Sequence, residues 1–193
     1  MNKTFVKAIA AGLAIGLGCW LFLTIENPIL GALMFACGLL AVRIYKLNLF
    51  TGKTQLLCTT TITNKEYWTI FCGNIIGIAI MALIGGQIYS TRALEIATAK
   101  TSQSFWIAIS KGIGCGMLMS LATYKDSPLW LSAFCVLAFI AAGFNHCIAD
   151  LYYFLCGGTA LSFIKWIGTV IGNIIGGLLF SKYNFLMREQ TNT

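Results

Sequence analysis

Apolar residues gather in six windows along the chain, at residues 8–25, 29–58, 67–89, 102–123, 129–155 and 162–180. Each is close to or beyond the roughly 20 residues that a bilayer-crossing helix needs. Polar residues collect between the windows, in Glu26-Asn27-Pro28 and at 61–66, 90–101, 124–128 and 157–161. These linkers are short and no long polar stretch exists, so the pattern predicts one all-α transmembrane domain over 1–193 with six crossing helices. Lys3 and Lys7 ahead of the first window imitate a signal peptide, but that window exceeds an h-region of roughly 7–15 residues. It reads as the first membrane helix.

The second and fifth windows are too long for one plain crossing, and polar or glycine residues interrupt both. Lys46, Asn48, Thr51, Gly52 and Lys53 surround Leu49-Phe50 in the second; Gly143, Asn145 and His146 flank Phe144 in the fifth. A helix break at membrane depth is tolerated only where the freed backbone is buried in protein or lines a cavity. Two breaks in corresponding places point to a transport site. The pattern therefore predicts that the second and fifth helices are broken.

Other correspondences support a repeat. Gly12-xxx-Gly16 in the first window matches Gly112-xxx-Gly116 in the fourth. Gly73-Asn74-Ile75-Ile76-Gly77 in the third returns as Gly172-Asn173-Ile174-Ile175-Gly176 in the sixth. One such motif is only a packing device; matched pairs together with matched breaks predict two three-helix halves, about 1–90 and 91–193. With three spans each, the halves must be inverted. Asn74 and Asn173 would either cap the broken helices or line a pore, capping being the simpler role.

Composition agrees. The chain is 58% hydrophobic and 10% charged with mean hydropathy +0.82, against roughly 25% charged residues in soluble domains. It is an integral membrane protein by this measure. The net charge of +7 comes from scattered Lys and Arg with no basic stripe, so nucleic acid is not an expected partner. The eight cysteines form no CxxC pair and read as small apolar packing residues; neither a metal nor a cofactor is expected. Lys3, Lys7, Lys65, Lys125, Lys182 and Arg188 fall on one side of the six-span topology and Arg92, Lys100 and Lys165 on the other. The positive-inside rule then puts both termini in the cytoplasm of a multi-pass protein of the cell membrane.

Chemistry concentrates at Gly143-Phe144-Asn145-His146-Cys147-Ile148-Ala149-Asp150, which holds the chain's one histidine and the only charge of its window. A polar cluster at that depth should face a cavity, a pathway or a protein partner. This motif, Asn48-Leu49-Phe50-Thr51-Gly52-Lys53-Thr54 and the two Gly-Asn-Ile-Ile-Gly segments resemble the formate/nitrite transporter family over nearly the whole chain. That family writes them A-E-L-F-T-G-N-T, G-F-E-H-S-I-A-N and G-N-I-I-G-G. The resemblance implies an aquaporin-like fold, a homopentamer with one pore per protomer, and a meeting of His146 with Thr51 in mid-pore. It also implies apolar constrictions served by Phe50, Phe144 and Leu49, and a vestibule lysine at Lys100. The departures bear on selectivity. Asn48 and Asn145 replace two glutamates, Gly116 an asparagine of the fourth helix, Cys147 a serine, and Asp150 an asparagine.

A small weak-acid anion (formate, nitrite or hydrosulfide) loses hydration in an apolar constriction, which favours its neutral form. Lys100, with Lys165, would concentrate anions at the mouth. His146, with a reference pKa of about 6.5, would supply a proton or donate a hydrogen bond, and Thr51 would orient the histidine or the substrate. The expected partners are thus a small anion, protons and the lipid bilayer. Plainer roles stand beside these: a satisfied core histidine, core aromatics at Phe50 and Phe144, an interfacial loop lysine at Lys100. Asp150 could hold the imidazole, hold a lysine, or sit nearer the interface. The alternative function is an aquaporin-like channel for neutral solutes such as water or hydrogen sulfide. A membrane enzyme is not expected, because no nucleophile or metal set accompanies the histidine.

Overall fold

The computed structural model describes residues 2–59, 61–86, 88 and 90–191, with side chains from Asn2 to Tyr183 apart from Thr59, Thr60, Gln87, Tyr89 and Ser90. Arg188, counted above for orientation, falls outside the described side chains. Among the described residues the fold is wholly helical. Helix α1 (Lys3–Thr24) starts where the Asn2 side chain accepts from Thr4 N. Helix α2 (Pro28–Ile44) starts where Asn27 Oδ1 accepts from Ile29 N and Leu30 N, with Pro28 preset for the first turn. The stretch Glu26-Asn27-Pro28 is therefore a start signal written into a three-residue corner.

The second apolar window is split. Helix α2 ends at Ile44; a four-residue helix α3 (Phe50–Lys53) follows after residues 45–49 and runs into a 3₁₀ turn, Thr54–Thr59. The fifth window is split likewise into α7 (Leu129–Ala141) and α8 (Cys147–Gly157). Both splits open with the same backbone device. Leu47 N bonds Val42 O (2.8 Å) while Lys46 takes φ 51°, and Phe144 N bonds Phe139 O (2.9 Å) while Gly143 takes φ 65°. This is the Schellman arrangement, in which a left-handed residue turns the chain away and satisfies a helix-end carbonyl.

Among the described residues four helices are long and apolar enough to cross a membrane: α1, α4 (Asn64–Gly85), α6 (Phe105–Thr123) and α9 (Ala160–Thr191, apolar through Tyr183). Helix α4 begins with a capping box between Thr63 and Glu66, and α6 with Ser104 accepting from Ile107 N. The residues 90–101, expected to be a linker, form instead a helix, α5 (Ser90–Thr101). A hydropathy window misses it because it is amphipathic, with Ala93 and Ala97 buried and Thr91, Glu95 and Thr98 exposed.

The closest helix approaches are α1 on α4 and α6 on α9. A Cβ on Gly77 would run into the backbone of Ile9 and Leu13, and one on Gly176 into that of Ile113 and Met117. The small residues let these backbones touch. The correspondence is one helical turn away from the one the motifs suggest. Gly12 lies against the Asn74 carbonyl, and the residue against the Asn173 carbonyl is Gly116, not Gly112.

Candidate functional site

Two asparagines inside long helices build the site. Asn74 Oδ1 accepts from Phe50 N (2.8 Å), and its Nδ2 donates to Ala8 O (2.8 Å) and Asn48 O (2.9 Å). Asn173 repeats this: Oδ1 accepts from Cys147 N (2.8 Å), and Nδ2 donates to Gly112 O (2.8 Å) and Asn145 O (2.9 Å). Both amides are fully buried. Each caps the first turn of a short helix and ties the preceding loop carbonyl to a neighbouring long helix, so backbone groups freed by the breaks stay paired.

The two short helices thereby bring Thr51 and His146 together. Thr51 Oγ1 lies 3.0 Å from His146 Nε2, and both residues are buried. The imidazole also caps its own helix, because Nδ1 accepts from Ala149 N (3.1 Å). A ring nitrogen that accepts carries no proton, so the single proton of the neutral ring sits on Nε2 and is donated to Thr51 Oγ1. That assignment rests on the bonding pattern. It leaves the Thr51 hydroxyl proton for a further acceptor. An imidazolium would need a proton on Nδ1 and would lose the helix cap. The Phe139 ring stacks along the imidazole, with centroids 5.7 Å apart.

Beside the pair, Lys100 at the end of α5 enters a polar knot. Its Nζ lies 2.9 Å from Asp150 Oδ1 and 2.9 Å from Asn145 Oδ1, while Asn145 Nδ2 donates to Gln103 Oε1 (3.2 Å). The carboxylate side chain is 3% exposed and the lysine side chain 15%. Of the three places left open for Asp150, holding a lysine is the one the structure shows. Gln103 went unnoticed because no motif marks it. Its role follows from the loop between α5 and α6, whose place depends on the unexpected helix.

The other expected residues divide. Leu49 is buried and walls a cavity of about 670 Å³ together with Arg43, Lys46, Gly52, Lys53 and Lys125. Phe50 is fully buried in an aromatic stack, 4.5 Å from the ring centroids of both Tyr67 and Phe71. Phe144 is partly exposed and rests on Gly114, where an added Cβ would come within 2.5 Å of its ring. Asn48 donates to Thr4 O (3.2 Å). Lys165, on α9, forms no hydrogen bond or ion pair through its side chain with the Lys100 group among the described residues.

Residues 1–186 match the sequence model described as Formate/nitrite transporter. The nitrite transporter NirC of Salmonella typhimurium is 30% identical over 181 residues, covering 78% of this chain and 66% of that one. The formate channel FocB of Escherichia coli is 26% identical over 188 residues, with 78% and 64% covered. The matches thus span just under two thirds of these relatives. Among solved structures, an FNT family ion channel superposes with TM-score 0.82 at 25% identity, covering 95% of this chain and 89% of the other. A pentameric formate channel with formate bound gives TM-score 0.79 at 22% identity, covering 97% of each and showing likeness of fold.

Proposed function

The chain belongs to the formate/nitrite transporter family, a family of membrane channels and not of enzymes, and from that premise we propose that it conducts small monovalent weak acids of the formate, nitrite or hydrosulfide class. In this reading the substrate crosses as the neutral acid, past an apolar barrier holding the Thr51–His146 pair. Six crossings arise when α2 with α3 and its 3₁₀ turn form the second, and α7 with α8 the fifth. The two three-helix halves are inverted, five copies assemble with one pore each, and both termini are cytoplasmic in the cell membrane. The basic cavity with Lys46, Lys53 and Lys125 is then the inner vestibule, in keeping with positive charge inside.

The observation that carries the proposal is the Thr51–His146 contact between two short helices, each capped by an asparagine of a long helix. Bonded in this way, His146 is a neutral donor, and the remaining Thr51 proton suits the oxygen or sulfur of a small acid. Leu49, Phe144 and the aromatic stack around Phe50 supply apolar surroundings in which a charged solute is disfavoured. Asn48 and Asn145 hold loop geometry in this account, and Lys100 and Lys165 stand at the outer mouth. A second reading, passage of neutral solutes such as water or hydrogen sulfide, draws support from the Lys100–Asp150 pair, which leaves the polar knot without net charge.

The test is proteoliposome uptake of formate, nitrite and hydrosulfide from about pH 5 to about pH 8, spanning the range where a histidine or a weak acid changes charge. Saturable uptake that rises as pH falls, and that changes with His146→Asn, supports weak-acid conduction. Uptake of none of the three, with water still passing, refutes it in favour of the neutral-solute channel.

A further inference from the structure

The Lys100–Asp150 pair has unused hydrogen-bonding capacity of a particular kind. An ammonium has three donors, and two are spent, on Asp150 Oδ1 and Asn145 Oδ1. The carboxylate is buried, its Oδ1 faces the lysine, and its Oδ2 has no hydrogen-bond partner. The pair thus offers one donor and one acceptor, with its charges already cancelled.

The arrangement is built into the fold. Lys100 lies in the last turn of α5, where a cation suits the helix C-terminus. Asp150 lies in the first turn of α8, where a carboxylate suits the N-terminus. Helix α5 packs along α8, Ala93 and Ala97 giving it a flat buried face. Asn145, which accepts from the lysine, is the residue directly before His146 of the Thr51–His146 pair.

An anion accepting from the third Lys100 proton would lie beside the unpartnered oxygen of a buried carboxylate that already neutralises the ammonium, so it would bring an uncompensated second negative charge. A neutral acid brings none. Resting on the conduction reading above, we propose that Lys100 and Asp150 form a recognition site for the undissociated acid. The acid's O–H donates to Asp150 Oδ2, and its carbonyl or nitrosyl oxygen accepts from the third Lys100 proton. Asp150 is then a specificity-determining residue that excludes the free anion by its own charge.

Titratable groups close to Asp150 are Lys100 of α5, Lys111 and Cys115 of α6, Cys19 of α1, Cys147 and Tyr153 of its own helix, and His146 at that helix's N-cap; Lys111 is the further cation among them.

The experiment measures half-saturation for total formate in proteoliposomes at several pH values, for the wild type and Asp150→Asn. If the neutral acid binds, half-saturating total formate rises about tenfold per pH unit, as the neutral fraction of a carboxylic acid falls above its pKa. Asp150→Asn frees Lys100 for the anion, so half-saturation should fall and lose most of this pH dependence. A pH-independent wild-type value, or a variant keeping the wild-type slope, would overturn the site while leaving conduction intact. Absence of formate uptake in both proteins, with nitrite still carried, moves the same titration to nitrite; hydrosulfide as the one solute carried would overturn the site, because hydrogen sulfide has neither the O–H nor the second oxygen it requires. Absence of all three sinks the conduction reading and the site with it. Should Asp150→Asn fail to fold, Lys100→Met/Asp150→Leu carries the test, since it removes both charges together. It should raise half-saturation for the neutral acid at least about tenfold, roughly the loss of a hydrogen-bonded contact; an unchanged value would overturn the proposal.

Discussion

Replacing Asn173 with alanine removes three hydrogen bonds at once, and their loss can be counted from the structure. Gly112 lies within α6, so its carbonyl keeps an intrahelical bond. Cys147 N and Asn145 O have no such substitute: one opens α8, the other belongs to the break, and both residues are buried. Each orphaned buried group costs about 1–3 kcal/mol, so the variant should lose about 2–6 kcal/mol. Asn74→Ala is the internal control. It orphans the buried Phe50 N in the same way, but the carbonyl it releases belongs to Asn48, which is partly exposed and can be solvated. Its loss should be nearer about 1–3 kcal/mol, from a single orphaned group. Denaturant unfolding in detergent micelles, followed by circular dichroism, compares the two. Because α8 also carries His146 at its cap, Asn173→Ala should depress uptake beyond its effect on stability. A variant as stable as the wild type, or one less affected than Asn74→Ala, would show that these amides do not hold the breaks together.

The matched left-handed residues allow a paired test. Lys46→Gly should stabilise the protein by about 1 kcal/mol by removing the strain of a side chain at positive φ, while Gly143→Ala, with only Lys111 Nζ near its added Cβ, should destabilise it by a similar amount; thermal midpoints decide. Gly176→Ala drives a methyl into the Ile113 and Met117 backbone, so α6 and α9 must part; a loss of at least about 2 kcal/mol is expected, and a neutral result would refute the close-packing account. Thr51→Val keeps shape but removes the acceptor of the His146 proton and the free hydroxyl donor; uptake should fall about tenfold, the magnitude of one hydrogen bond, and stability by about 1–3 kcal/mol for the orphaned buried proton, with the helical fold kept.

The sequence by itself determined the solvent and the outline. Lipid offers no hydrogen bonds, so each crossing must be a long apolar run and each polar interruption must be satisfied by protein; six windows, and Asn48 and Asn145 inside two of them, could be counted directly. The likeness of Asn74 to Asn173 was legible for the same reason, since a lone amide in an apolar helix stands out. What only the tertiary structure decided were partnerships across long separations. Lys100 and Asp150 lie fifty residues apart and meet because α5, whose amphipathic pattern carries no strong hydropathy signal, packs on α8. Gly116, not Gly112, faces the Asn173 carbonyl because small-residue motifs set how closely two helices approach but leave their register to the surrounding packing. The histidine's proton followed only once Nδ1 was seen to cap α8, for a side chain's role is set by what its other nitrogen touches.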